Sequence, residues 1–200
     1  MGVFNPHFLV VSLGNPLPKY SSLHSAGHYV LKGLAKVVGQ PDYQPTKLGK
    51  QTCLVSQGPK YTMVQSPTLM NVSGGFVARA WQEMARQHDP ASLSLVLVHD
   101  ELEKDFGIVR LVAWDRSHRG HNGIKSVRSS VTQSKYPESP LARIAVGIGR
   151  PDERDAATVS RYVLAPIGAE KIQELQTSVA REVATKLREL EDEWASELSK

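Results

Sequence analysis

The sequence contains one cysteine, Cys53. No disulfide can form within the chain and no cysteine-based zinc site is possible, which fits a reducing compartment. No apolar run approaches the ~18 residues of a membrane span. The opening "MGVFNPHFLVV" lacks a basic n-region and a small-residue cleavage site, so no secretory leader is expected. There is no internal repeat and no low-complexity segment. Several catalytic signatures are missing as well. There is no GxSxG elbow, and Ser73 in "NVSGG" has no such context. There is no Walker A pattern, and "GIGRPD" lacks the third glycine and the helix of a dinucleotide fingerprint. His24 and His28 stand four apart with no acid between them, which excludes a zincin-type pair. Cys53 has no basic neighbours to make it a thiolate nucleophile.

What is present suits a globular α/β protein. With 200 residues, 40% apolar and 22% charged, residues 1–200 are expected to form one domain. Its core would span about 8–166, followed by a C-terminal helical segment over about 167–198. "FLVVSL" (8–13), "LSLVLVHD" (93–100), "GIVRLVA" (107–113) and "ARIAVGIG" (142–149) read as strands. "TCLVSQ" (52–57) and "YTMVQS" (61–66) read as a hairpin through "GPK". Helical spacing runs from Ser21 or Ser22, as caps, to Val38, from Val72 to Arg86, and over 120–131. The tail places Ile172, Leu175, Val179, Val183, Leu187, Leu190, Trp194 and Leu198 on one stripe, in one amphipathic helix or two in sequence. That stripe is expected to pack on the domain itself. "QPDYQPTK" and "QSKYPESPL" read as connecting loops. The alternation predicts a three-layer α/β/α domain with a twisted, mixed and largely parallel sheet.

The net charge of +4 is unevenly spread. Between 104 and 150, Lys104, Arg110, Arg116, Arg119, Lys125, Arg128, Lys135, Arg143 and Arg150 face only Asp105, Asp115 and Glu138. Such a stretch suits a polyanionic partner. A solvated basic face with no partner satisfies the charge equally well.

Open α/β sheets bind ligands beyond the carboxyl ends of their strands. In this chain the strand ends lead into Asn15, Asn71 and Asp100, while His24, His121 and Asn122 stand where helices open. Each alone is an ordinary turn or cap residue. Capping does not explain the set. With serine and cysteine nucleophiles excluded, the remaining chemistry is water activated by a histidine. A carboxylate would orient that histidine, and amides would place the water and stabilise an oxyanion. Such apparatus suits an ester, and the basic stretch suggests an ester carried by a polyanion.

The motifs resemble those of the bacterial-type peptidyl-tRNA hydrolases. The matching segments are "LGNP" (13–16) with Tyr20 and His24, "PTLMNVSGG" (67–75), "LVLVHDELE" (95–103), "GHNGIKSV" (120–127), "VGIGRP" (146–151) and "YVLAP" (162–166). The resemblance implies hydrolysis of the ester between peptide and tRNA by a cytoplasmic or mitochondrial monomer. It implies no cofactor, no metal, no membrane and no obligate protein partner. By position, His24 corresponds to the general base and Asp100 to its acidic partner. Asn15 and Asn71 correspond to amides lining the site, Met70 to their apolar neighbour, and Asn122 to the amide that places water and substrate. Tyr20 corresponds to a ring beside the 3′ end of the tRNA, and His121 to the entrance of the peptide channel. Arg116, Arg119, Lys125 and Arg143 are the expected tRNA contacts. The chain departs from the pattern at Leu17, at Ser25, in "WDRSHR" before Gly120 and at Ala145. Two other readings remain at this stage: a repurposed RNA-binding homologue such as a splicing cofactor, and an esterase of small substrates.

Overall fold

The structure, a computed structural model, describes residues 4–199. Met1–Val3 of the opening segment and Lys200 lie outside the described residues. Seven strands form one mixed sheet: β1 (His7–Ser12), β2 (Gln44–Leu48), β3 (Gln51–Gln57), β4 (Tyr61–Gln65), β5 (Leu93–Glu101), β6 (Val109–Ala113) and β7 (Leu141–Gly147). Their order is β2-β3-β4-β1-β5-β7-β6. The inner strands β4, β1, β5 and β7 run parallel. β3, β2 and β6 add antiparallel edges. All of β1 and β7 and nearly all of β5 are buried. Strands covered on both faces read as continuous apolar runs, which is why these were legible as strands.

Among the described residues six α-helices flank the sheet: α1 (Ala26–Val37), α2 (Ser73–Ala85), α3 (Asn122–Ser130), α4 (Ala156–Val163), α5 (Ala169–Glu174) and α6 (Ala180–Leu198). Strand side chains alternate between faces. Phe8, Val10, Val96 and Val98 meet α1 and the tail. Leu9, Val11, Leu95 and Leu97 meet α2 and α3. The two-residue period puts Asp100 in line with Val96 and Val98, on the α1 side. It puts His99 in line with Leu95 and Leu97, on the other side. This alternation decides which imidazoles reach which face of the strand end.

Two local expectations need correction, and one helix had no expectation. The segment expected as a loop around "QPDYQPTK" contains β2, paired antiparallel to β3. It is polar because it is an exposed edge, where Pro45 and Lys47 are tolerated and discourage pairing with another chain. Ser22 precedes a short 3₁₀ turn, Leu23–Ser25, but makes no side-chain cap. Its hydroxyl donates to Lys19 O instead. The helix α4 was not anticipated at all. Asp155 starts it by accepting from Thr158 N at 2.9 Å. Among the described residues no helix is long and apolar enough to cross a membrane.

The tail packs along most of its stripe, but Leu198 at the end is 53% exposed. A π-helical turn, Leu175–Val179, joins α5 to α6. Leu175, Val179, Val183 and Leu187 are buried beside α1, and the Trp194 ring meets Phe8 edge-on at 5.6 Å. The approach to α1 depends on Gly33. A Cβ there would lie 2.1 Å from Gln176 O, which is backbone and cannot rotate away. Gly33→Ala should therefore destabilise the fold by about 1–3 kcal/mol, despite alanine's better helix propensity. Chemical denaturation checks this. An unchanged midpoint would contradict the close crossing.

Candidate active site

The site is assembled at the carboxyl ends of β1 and β5. Past β1, Asn15 N donates to Ser25 Oγ at 3.0 Å, tying the strand exit to the 3₁₀ turn that carries His24. Leu23 N donates to Ala165 O at 3.0 Å and holds the same turn from the other side. A Cβ at Gly27 would lie 2.8 Å from Val98 O, so glycine lets the start of α1 close on β5. His24 and Asp100, 76 residues apart, thereby meet: Nδ1 lies 2.9 Å from both carboxylate oxygens. Asp100 is only 2% exposed, whereas 16% of the His24 side chain remains accessible. An Nδ1–H donated to the carboxylate leaves Nε2 with its lone pair free to accept a proton.

A second imidazole shares the carboxylate. His121 Nε2 lies 2.9 Å from Asp100 Oδ1. Its Nδ1 accepts from Ile124 N at 3.2 Å and caps α3. The expected channel-entrance residue is thus also bonded to the acid of the site. Burial would push the Asp100 carboxyl up, but electrostatic attraction and hydrogen bonds from the adjacent His24 and His121 rings hold it well below the usual carboxylate range. Burial would lower His24, but Asp100's charge and hydrogen bond outweigh it, and the ring's pKa is raised. His99, behind His121, is pushed down to about 3, chiefly by burial and secondly by His121.

The donor atoms of His24, Asp100 and His121 all lie within 4.8 Å of one another, close enough to suggest a metal. The chemistry of His121 argues otherwise. A neutral imidazole that binds a metal through Nε2 carries its proton on Nδ1, usually donated to an acceptor. Here Nδ1 faces a backbone N–H, which is itself a donor. The cluster fits a proton network better than a coordination sphere.

The amides and Met70 divide between support and surface. Asn15 is buried, and its Oδ1 accepts from Met70 N at 2.9 Å. Met70 in turn lies under the start of α3, where a Cβ at Gly123 would come within 2.4 Å of its sulfur. Asn15 and Met70 therefore brace the exposed Asn71 on one side and the exposed Asn122 on the other. Asn122 lines the same cleft as His24, Asp100 and His121, a space of about 440 Å³. Asn71, Asn15, Met70 and Tyr20 are not among its lining residues. Tyr20 OH donates to Gln65 Oε1 at 2.8 Å, and its ring stacks on His28. Burial, then the neighbouring Tyr29, push its hydroxyl to about 12.

The basic residues separate in the same way. Arg116 and Lys125 are exposed, and Arg119 is exposed at the cleft with φ +47°. Arg143, expected to touch tRNA, is a correction: it is 1% exposed. Its Nη2 donates to Ala113 O at 3.1 Å and Arg116 O at 2.8 Å. Arg128 Nη1 and Nη2 grip Arg116 O and Asp115 O. These two guanidiniums shape the "WDRSHR" loop from within. The sequence reading also missed the opposite wall of the cleft, formed by Val159, Val163 and Leu164 at α4. The signals were there, in the Asp155 cap and the four-residue spacing of Val159 and Val163, but too short to stand out.

Fold and site together define an α/β protein with a buried histidine–carboxylate pair at a cleft that has an apolar wall. The sequence model of peptidyl-tRNA hydrolase matches residues 9–199. A peptidyl-tRNA hydrolase of Geobacter sp. (strain M21) is 36% identical over 84% of this chain and 82% of its own length. One from Saccharomyces cerevisiae is 35% identical over 84% of this chain and 87% of its own. The solved peptidyl-tRNA hydrolase of Acinetobacter baumannii shares the fold with a TM-score of 0.67, at 22% identity, over 97% of this chain and 94% of that one. The chain belongs to the peptidyl-tRNA hydrolase family.

Replacing Arg143 with methionine keeps much of the buried volume but removes the charged donor from the Ala113 and Arg116 carbonyls, which keep only Arg116 N and Arg128 Nη1. Arg143→Met should lower stability by about 1–3 kcal/mol. Thermal unfolding measures it, and a stability equal to that of the unaltered protein would show that the loop does not depend on this guanidinium.

Proposed function

We propose that this chain hydrolyses the ester between a peptide, or an N-blocked amino acid, and the 3′ end of tRNA, and so recycles tRNA from prematurely released peptidyl-tRNA. The observation that carries the reading is the His24–Asp100 pair, with a free imidazole Nε2 at the cleft and a fully engaged, buried carboxylate behind it. His24 takes a proton from water, and the hydroxide attacks the ester carbonyl. Asp100 stabilises the imidazolium that forms without itself becoming protonated. Asn122 and the first N–H groups of α3 face the developing oxyanion, while Asn71 orients the acyl group. The imidazolium then returns its proton to the departing ribose oxygen. The peptide runs along the apolar wall at Val159 and Val163. Arg116, Arg119 and Lys125 meet tRNA phosphates, and Tyr20 supports the 3′ end from behind the site. The chain works as a monomer, in the cytoplasm or a mitochondrion, without an obligate protein partner.

The complete pair weighs against an RNA-binding homologue that has lost its chemistry, since such a protein needs neither the free Nε2 nor the buried acid. An esterase of small substrates would leave the exposed Arg116, Arg119 and Lys125 without a role.

Release of N-acetyl-amino acid from N-acetyl-aminoacyl-tRNA tests the proposal. His24→Ala should lower turnover at least ~10²-fold with little change in tRNA affinity. Because the folded His24 is raised above its ordinary 6.5, the acid limb of the kcat/KM profile should lie above that value. Near-normal turnover of the variant would remove His24 from the mechanism.

A further inference from the structure

His121 is held on three sides. Its Nε2 meets Asp100 Oδ1 at 2.9 Å. Its Nδ1 meets Ile124 N at 3.2 Å. Its ring packs against that of His99 with centroids 5.2 Å apart at 73°. The Ile124 amide can only donate, so Nδ1 must present a lone pair. The proton of the neutral ring is then on Nε2, facing the carboxylate. Both contacts select the same tautomer. The consequence falls on Asp100. His24 reaches both carboxylate oxygens, and His121 competes for Oδ1.

We propose that His121 is a positioning residue that acts through Asp100: by donating to Oδ1 it limits how firmly the carboxylate holds the His24 imidazolium, and by capping α3 it fixes Asn122 against the same pair. A carboxylate bonded to His24 alone would favour the charged ring more strongly and keep the base protonated to higher pH. Sharing the carboxylate holds His24 nearer the value at which it works as a base. The other titratable groups around the cleft are accounted for. His99 is buried and donates Nδ1–H to Asp100 O at 2.8 Å. Glu101, Glu103 and Arg150 line the side of β5 and β7, and Glu103 is paired with Arg150. His118 and Arg119 line the side before α3, where His118 Nδ1 accepts from Gly120 N. The α4 wall brings no titratable side chain to the cleft. This assignment rests on the reading of His24 as the base.

Two substitutions separate the two bonds. In His121→Asn the amide reaches the place of Nδ1, so the helix cap survives and the Asp100 bond is lost. In His121→Gln the amide nitrogen reaches the place of Nε2, so the Asp100 bond survives and the cap is lost. The readout is the NMR titration of the His24 ring in the free protein, which needs no substrate. His121→Asn should raise the His24 midpoint by at least about 0.5 pH unit. His121→Gln should leave it near the original value while lowering Tm. An unmoved midpoint in the Asn variant, or equal shifts in both, would overturn the proposal. Should a variant not fold, the ¹⁵N spectrum of His121 in the unaltered protein decides. Nε2 protonated with Nδ1 bare supports the assignment, and the opposite tautomer ends it. A protein that lacked hydrolysis would refute the proposed function and leave these His24 shifts readable.

Discussion

Asp100 is an ionised carboxylate with 2% exposure, at the end of a nine-residue strand whose first eight residues are buried. A bare charge in such a place would cost several kcal/mol. The structure around it is a set of answers to that cost. His24 is delivered from the start of α1 and His121 from the start of α3, so the carboxylate is met from both faces of the sheet end. The need to satisfy one buried group thus fixes where two helices begin. The cost has a functional return, since a carboxylate stripped of water orients its partner imidazole and supports its positive charge better than a hydrated one.

Behind this centre lies a bracing layer that touches no substrate in the proposed reaction. Asn15 links the exit of β1 to Met70, Met70 fills the space under Gly123, and Ser25 is bound by the Asn15 backbone. Residues that read as site amides and apolar neighbours are therefore of two kinds. Asn15 and Met70 hold positions, and Asn71 and Asn122 occupy them. Arg128 and Arg143 do for the "WDRSHR" loop what Asn15 does for the turn at Met70. They spend positive charge on backbone carbonyls and leave Arg116 and Arg119 pointing outward. Trp114 is buried at the base of the same segment.

Much of this was legible in the residues, for physical reasons that also explain the failures. Inner strands such as "LSLVLVHD" announce themselves because burial on both faces demands apolar side chains throughout. β2 did not, because an edge strand is selected for polarity, and "QPTKL" carries a proline besides. Asn15, His24, Asn71, Asp100, His121 and Asn122 could be read as one rim because parallel strands bring their carboxyl ends together, and of these His24, Asp100, His121 and Asn122 line the cleft. The second bond of Asp100 could not, since nothing in "GHNG" says that its histidine turns inward to a carboxylate 21 residues earlier. Arg143 was misjudged because a buried arginine and a phosphate-binding one look alike in sequence. Only the neighbouring carbonyls distinguish them.

In the proposed reaction the charge of Asp100, and not merely its shape, makes His24 a base. Asp100→Asn keeps the size of the side chain and removes the charge. With unfolding and tRNA affinity measured alongside, the variant should be folded and bind tRNA but hydrolyse N-acetyl-aminoacyl-tRNA at least ~10²-fold more slowly. Turnover within a few-fold of the unaltered protein would contradict it.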